Sequence, residues 1–160
     1  MQSIRLNRRS AIVGVMAIAS TFPLRGAIAE SLPQLRVMRD PSCGCCGAWV
    51  EHVRWAGFQV EVVETSELNR AKSELGVPRA LTSCHTAEVA GYVIEGHVPA
   101  SAIKRLLAQR PQAKGLAVAG MPAGSPGMEV EGSEPDTYAV VLFGPAGEST
   151  FARYRGAEEI

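Results

Sequence analysis

The sequence has no surplus of positive charge, no apolar run long enough to be a membrane span, and only four cysteines and three histidines. Its 16 Lys/Arg balance its 16 Asp/Glu, and the first 29 residues hold four arginines and no acid, so the remainder carries a formal −4. Nucleic acid is a poor partner for such a chain, because phosphate recognition needs a basic face. The most apolar stretch, Ala11–Ala19, is shorter than the roughly 20 residues that cross a hydrocarbon layer, which argues against permanent membrane insertion. The Gly/Pro-rich segment Gly120–Met128 lacks the Lys-Ser/Thr ending of a phosphate-binding loop, so it is no nucleotide signature.

What is present begins with an export signature. Arg5, Arg8 and Arg9 precede the apolar stretch, and Ala27-Ile28-Ala29 supplies an A-x-A cleavage site, so residues 1–29 read as a signal peptide and Glu30 as the mature start. Arg8-Arg9 ahead of Ser10-Ala11-Ile12-Val13 resembles a twin-arginine signal, with Ala11 where a bulkier apolar residue is usual; general secretion stays open. The expected location is the periplasm. Residues 30–160 then suit one compact domain that needs neither a structural metal nor a lattice of disulfides to fold.

Three of the four cysteines fall within four positions, as Cys43-Gly44-Cys45-Cys46, and the fourth is followed by histidine, as Cys84-His85. Four cysteines in an oxidising compartment are ordinarily read as two structural disulfides, but the adjacency of Cys45 and Cys46 makes two relaxed bridges awkward. Cys43 and Cys46 have the spacing of a redox pair, whereas the thiol between them points equally to capture of a soft metal ion.

Hydrophobic periodicity sets these residues on an α/β pattern. Strands are expected at Gln34–Met38, Phe58–Val63, Gly91–Glu95 and Tyr138–Phe143, with Phe151–Tyr154 pairing back through a turn at residues 144–147. Helices are expected from Cys46 to Ala56, from Glu67 to Leu75 and from Ala100 to Gln109, with Thr82–Thr86 as a loop. A helix beginning at Cys46 aims its free N–H groups at the preceding turn and lowers the pKa of a thiol there. Thiolate serves as nucleophile and as metal ligand alike, so a metal-independent thiol–disulfide oxidoreductase using Cys43 and Cys46 stands as the alternative to metal binding. His97, ahead of Pro99, can reach the same sheet end as Cys84-His85, while His52 reads as a solvated residue of the first helix. Met121 and Met128 lie in a glycine-rich loop, and their thioethers are neutral soft ligands suited to Cu(I).

The stretches CGCC at 43–46, SCHTAEVAGYVIEGHVPA at 83–100 and GLAVAGMPAGSPGME at 115–129, with the Tyr138–Phe143 region, resemble the domain of unknown function 411 family of CopG-type periplasmic copper-resistance proteins. The resemblance spans almost the whole mature chain, with Ala119 a mild departure before GMP. It implies a thioredoxin-like sandwich with a central mixed sheet, and copper, as Cu(I) and in several ions, held by Cys43, Cys45, Cys46 and Cys84. His85, His97, Met121 and Met128 are implied as neighbours. It further implies a role in copper resistance, interconversion of Cu(I) and Cu(II), and a periplasmic copper-handling or electron-transfer protein as partner.

Overall fold

The computed structural model describes residues 31–160; the export segment expected at 1–29 and the mature start at Glu30 lie outside the described residues. Strand β1 (Leu35–Arg39) runs into a turn, helix α1 (Gly44–Trp55) follows, and β2 (Val60–Glu64) returns parallel to β1. Helix α2 (Leu68–Glu74) and a 3₁₀ turn (Arg79–Leu81) lead to the hairpin of β3 (His85–Val89) and β4 (Tyr92–Glu95). Helix α3 (Ala100–Gln109) then precedes β5 (Gly115–Ala117), β6 (Thr137–Gly144), β7 (Gly147–Arg155) and β8 (Glu158–Glu159). All eight strands form one mixed sheet in the order β2-β1-β3-β4-β5-β6-β7-β8, giving the expected α/β class with a central mixed sheet.

The period-2 alternation of the strands divides the core. Ile94 and Leu116 join the main cluster with Trp49, Val50 and Val53 of α1 and Ile103 and Leu106 of α3. Their neighbours Val93 and Ala117 face the other way, into a smaller cluster with Val77, Leu81 and Phe143. Full burial of an aliphatic side chain such as Val53 contributes about 1.5–3 kcal/mol, so the helix spacing of Trp49, Val50 and Val53 is what ties α1 to the sheet. Trp49 also donates its indole N–H to the Val98 carbonyl at 2.9 Å, which satisfies the one polar atom it buries.

Three local expectations are corrected. The stretch Thr82–Thr86 is not all loop: His85 opens β3, a central strand between β1 and β4, where the buried Thr86 hydroxyl is tolerated because it bonds Glu95 and Lys72. Helix α1 starts two residues before Cys46, because the Cys43 N–H closes a turn onto the Asp40 carbonyl at 3.0 Å and leaves Cys43 as the N-cap. His52 is not a solvated residue. It is half-buried, and its Nε2 accepts the Ala100 N–H at 3.1 Å, capping the first turn of α3; burial lowers its pKa and keeps that nitrogen free to accept.

Among the described residues no helix is long and apolar enough to cross a membrane.

Candidate metal centre

Strand register explains how cysteines 38 positions apart come together. Antiparallel pairing sets His85 opposite Arg39, at the end of β1 from which the CGCC turn departs, so Cys84 lies beside that turn. On the other side, Thr86 pairs with Glu95 and the Gly96 N–H donates to the His85 carbonyl at 3.0 Å; one further step sets His97 beside Cys84. Gly96 is required here, since its φ is +72° and a Cβ would come within 2.6 Å of the Ser83 side chain and 2.5 Å of the Val118 carbonyl.

The ligand-capable atoms of Cys43, Cys45, Cys46 and Cys84 all lie within 4.8 Å of one another, and so do those of Cys84, His85 and His97. Cys84 belongs to both groups. Its sulfur is 3.9 Å from Cys45 Sγ, 3.0 Å from His97 Nε2 and 3.3 Å from His85 Nδ1. Cys43 and Cys46 are joined as a disulfide, while Cys45 and Cys84 are free thiols, with Cys45 Sγ 3.6 Å from Cys43 Sγ.

The two imidazoles are held differently. His97 Nδ1 lies 2.8 Å from the Pro126 carbonyl and donates its proton there, which leaves the Nε2 lone pair facing Cys84. His85 is fully buried between Trp49, at a ring-centroid distance of 4.3 Å, and His97, at 5.0 Å, and its Nε2 has no hydrogen-bond partner among the described residues. Burial pushes both imidazole pKa values down, for His85 with added repulsion from His97 and Lys72, so both rings are neutral at ordinary pH. Burial first, and then the neighbouring Cys45, push the Cys84 thiol up to about 12, so in the metal-free protein it holds its proton and donates it to His97 Nε2.

The loop that carries Met121 and Met128 is bound to this cluster through its backbone. Gly120 accepts from the Ser83 hydroxyl and donates to the Thr82 carbonyl at 3.2 Å, while Gly127 (φ +87°) packs so closely on α1 that a Cβ would lie 2.6 Å from Trp49 N and 3.1 Å from the Cys45 carbonyl. Each methionine thus follows a glycine anchored beside a site cysteine. Met121 is 54% exposed and Met128 half-buried.

A solved structure titled "Copper resistance protein copG- Form 2" matches this fold with a TM-score of 0.73 and 43% sequence identity, covering 77% of this chain and 98% of that one. A second, "Copper resistance protein copG- Form 1", matches with a TM-score of 0.72 and 44% identity over 78% of this chain and 99% of that one. The chain belongs to the CopG-type copper resistance family. A family profile described as "Protein of unknown function, DUF411" matches residues 81–128, from the 3₁₀ turn through the methionine loop. No curated protein sequence gives a significant match.

In this CopG-type chain, thiols and neutral imidazoles form a soft-to-borderline donor set, and neither ligand group contains a carboxylate. The buried, unpartnered His85 Nε2 also fits a site built to be completed by something other than the protein. Periodicity did not reveal two other groups around the site. Arg39 donates to the Cys43 carbonyl at 3.0 Å and to Glu64 at 2.7 Å, bracing the cysteine turn. Lys72 and Glu95 are buried behind Cys84-His85; the only sequence signal was an acid closing an apolar strand directly before Gly96-His97.

Proposed function

We propose that this chain binds copper, chiefly as Cu(I), through Cys43, Cys45, Cys46 and Cys84 in a thioredoxin-like domain exported to the periplasm, and that it serves copper resistance there. The observation that carries the reading is the convergence of all four cysteine sulfurs within 4.8 Å, three of them from the N-cap and first turn of α1 and one from the residue before β3, 38 positions beyond Cys46. Clustered thiolates suit Cu(I), Zn(II) and iron–sulfur units alike. The copper-resistance relatives and the two loop thioethers favour copper among them.

Cys84 shared between a thiol group and a histidine group supports a multinuclear site, with its sulfur as the bridge and with His85 and His97 holding the nitrogen-rich side. The Cys43–Cys46 disulfide beside two free thiols supports redox interconversion of the cargo. Oxidation of the Cys43 and Cys46 thiols to one disulfide releases two protons and two electrons, which balances reduction of two Cu(II) to Cu(I). Cu(I) accepts low-coordinate sulfur and Cu(II) prefers nitrogen and oxygen, so adjacent thiol and imidazole groups serve both states. A periplasmic copper-handling or electron-transfer protein would reset the disulfide.

The same disulfide, at the N-terminus of α1, supports the second reading, a metal-independent thiol–disulfide oxidoreductase. Copper-edge X-ray absorption on anaerobically loaded wild type, Cys45→Ser and Cys84→Ser separates the two. Copper binding predicts lost sulfur scattering in each variant, whereas the oxidoreductase reading predicts negligible copper uptake by all three and undiminished disulfide reductase activity in Cys45→Ser.

A further inference from the structure

Lys72 Nζ and Glu95 Oε1 are 2.5 Å apart, with side chains 5% and 0% exposed. Withdrawing two charges from water is costly, and apolar side chains of similar volume commonly serve fold stability as well or better, so stability alone does not account for this pair. Its other bonds do. Glu95 Oε1 also accepts the Ser83 backbone N–H at 2.6 Å, and Oε2 accepts the Thr86 hydroxyl at 2.6 Å, whose oxygen in turn accepts from Lys72 at 2.8 Å. Each polar side-chain atom in the network has at least one partner. Ser83 and Thr86 are the residues immediately before and after Cys84-His85.

We infer that Glu95 is a positioning residue for the metal site, a carboxylate that grips both shoulders of Cys84-His85 while Lys72 balances its charge. The inference rests on the copper-binding reading for its purpose, though the grip itself exists without metal. Gly96 makes the grip close, because only a residue without Cβ lets the segment leading to His97 pass against Ser83. The Glu95 backbone carbonyl accepts the Val118 N–H at 3.0 Å, which ties the same residue to the strand feeding the methionine loop. A cysteine at the mouth of a strand would otherwise lose conformational freedom on each metal-binding event, and that cost is met at folding instead. Cys84 directly follows Ser83, whose N–H the carboxylate holds, and His97 lies two residues beyond Glu95, so both sulfur and nitrogen ligands inherit its placement.

The test compares two double variants of the full mature chain, Lys72→Met with Glu95→Gln and Lys72→Met with Glu95→Met. They have the same charge and nearly the same volume, and differ in whether residue 95 offers Ser83 an oxygen. In the reduced, metal-free protein, Ser83 amide hydrogen exchange should speed up about tenfold or more in the methionine pair and stay near wild type in the glutamine pair. Cu(I) affinity, read by competition with a chromogenic chelator, should fall about tenfold or more in the methionine pair and be largely restored in the glutamine pair, the size usual for loss of an outer partner of a metal ligand. Equal Ser83 exchange in the two pairs overturns the grip. Split exchange with no Cu(I) uptake even by wild type would uphold the grip and sink the copper reading. Should the methionine pair fail to fold, Thr86→Val against Thr86→Ser asks the same question at the other shoulder: weaker Cu(I) binding in the valine variant, rescued by serine, supports the inference, and equal affinity overturns it.

Discussion

Cys84 Sγ and His97 Nε2 face each other at 3.0 Å because antiparallel β3 and β4 place residues 84 and 97 opposite one another just beyond their last paired positions. The Pro126 carbonyl fixes the tautomer of His97 from the far side of the ring. A helix cap, a hairpin and a loop thus converge on one sulfur. Each makes a separable contribution.

Replacing His97 with alanine removes the neutral nitrogen and the tether to Pro126 together. Cu(I) affinity should fall about tenfold or more, and His97→Gln should not restore it, since an amide oxygen is a poor ligand for a soft ion. Chelator competition on the reduced protein measures both.

Gly127→Ala should destabilise the domain by about 1–3 kcal/mol, because the added Cβ meets Trp49 N at 2.6 Å and the backbone is held at φ +87°. Urea unfolding gives the number. The loop would lift from α1, so Met128 should become more reactive toward peroxide, which peptide mapping of the sulfoxide reports.

The two tryptophans provide a built-in reporter. Trp49 is fully buried and packed on His85, whereas Trp55 is 89% exposed. Trp55→Phe should change stability by less than about 0.5 kcal/mol and leave emission that acrylamide hardly quenches. Loading that variant with copper should alter the remaining emission, since the metal would sit against the ring that Trp49 touches.

Much of the fold was legible in the sequence, and the reasons are local. Trp49, Val50 and Val53 at helix spacing, Tyr92–Glu95 bounded by glycines, and Ile103 with Leu106 ahead of Pro111 each declare their element without help from elsewhere. Strand β3 was hidden because His85, Thr86 and Glu88 are polar, and only pairing on both sides makes His85 and Thr86 fit to be buried. The cysteines and histidines of the site were readable as residue types. Their meeting was not, because it depends on a register between β1 and β3 that no short stretch encodes. Lys72 escaped for a related reason: in α2, where Leu68, Ala71 and Leu75 recur at helix spacing, the lysine is the buried residue, drawn in by a carboxylate from β4.

Export can be checked independently of metal. Intact-mass analysis of protein released from the periplasm should find Glu30 as the first residue, and replacing Arg8-Arg9 with two lysines should block export if the twin-arginine route is used. A soluble periplasmic product that retains residues 1–29 would contradict cleavage, and unchanged export of the lysine variant would assign general secretion.

The most direct measurement of the central claim is an anaerobic titration of the fully reduced mature protein with Cu(I), with alkylation of each cysteine mapped by mass spectrometry on the same samples. Copper binding at the four-cysteine cluster predicts that Cys43, Cys45, Cys46 and Cys84 all become progressively inaccessible to the alkylating reagent, in step with bound metal. Alkylation of all four that is unchanged at saturating copper would contradict it.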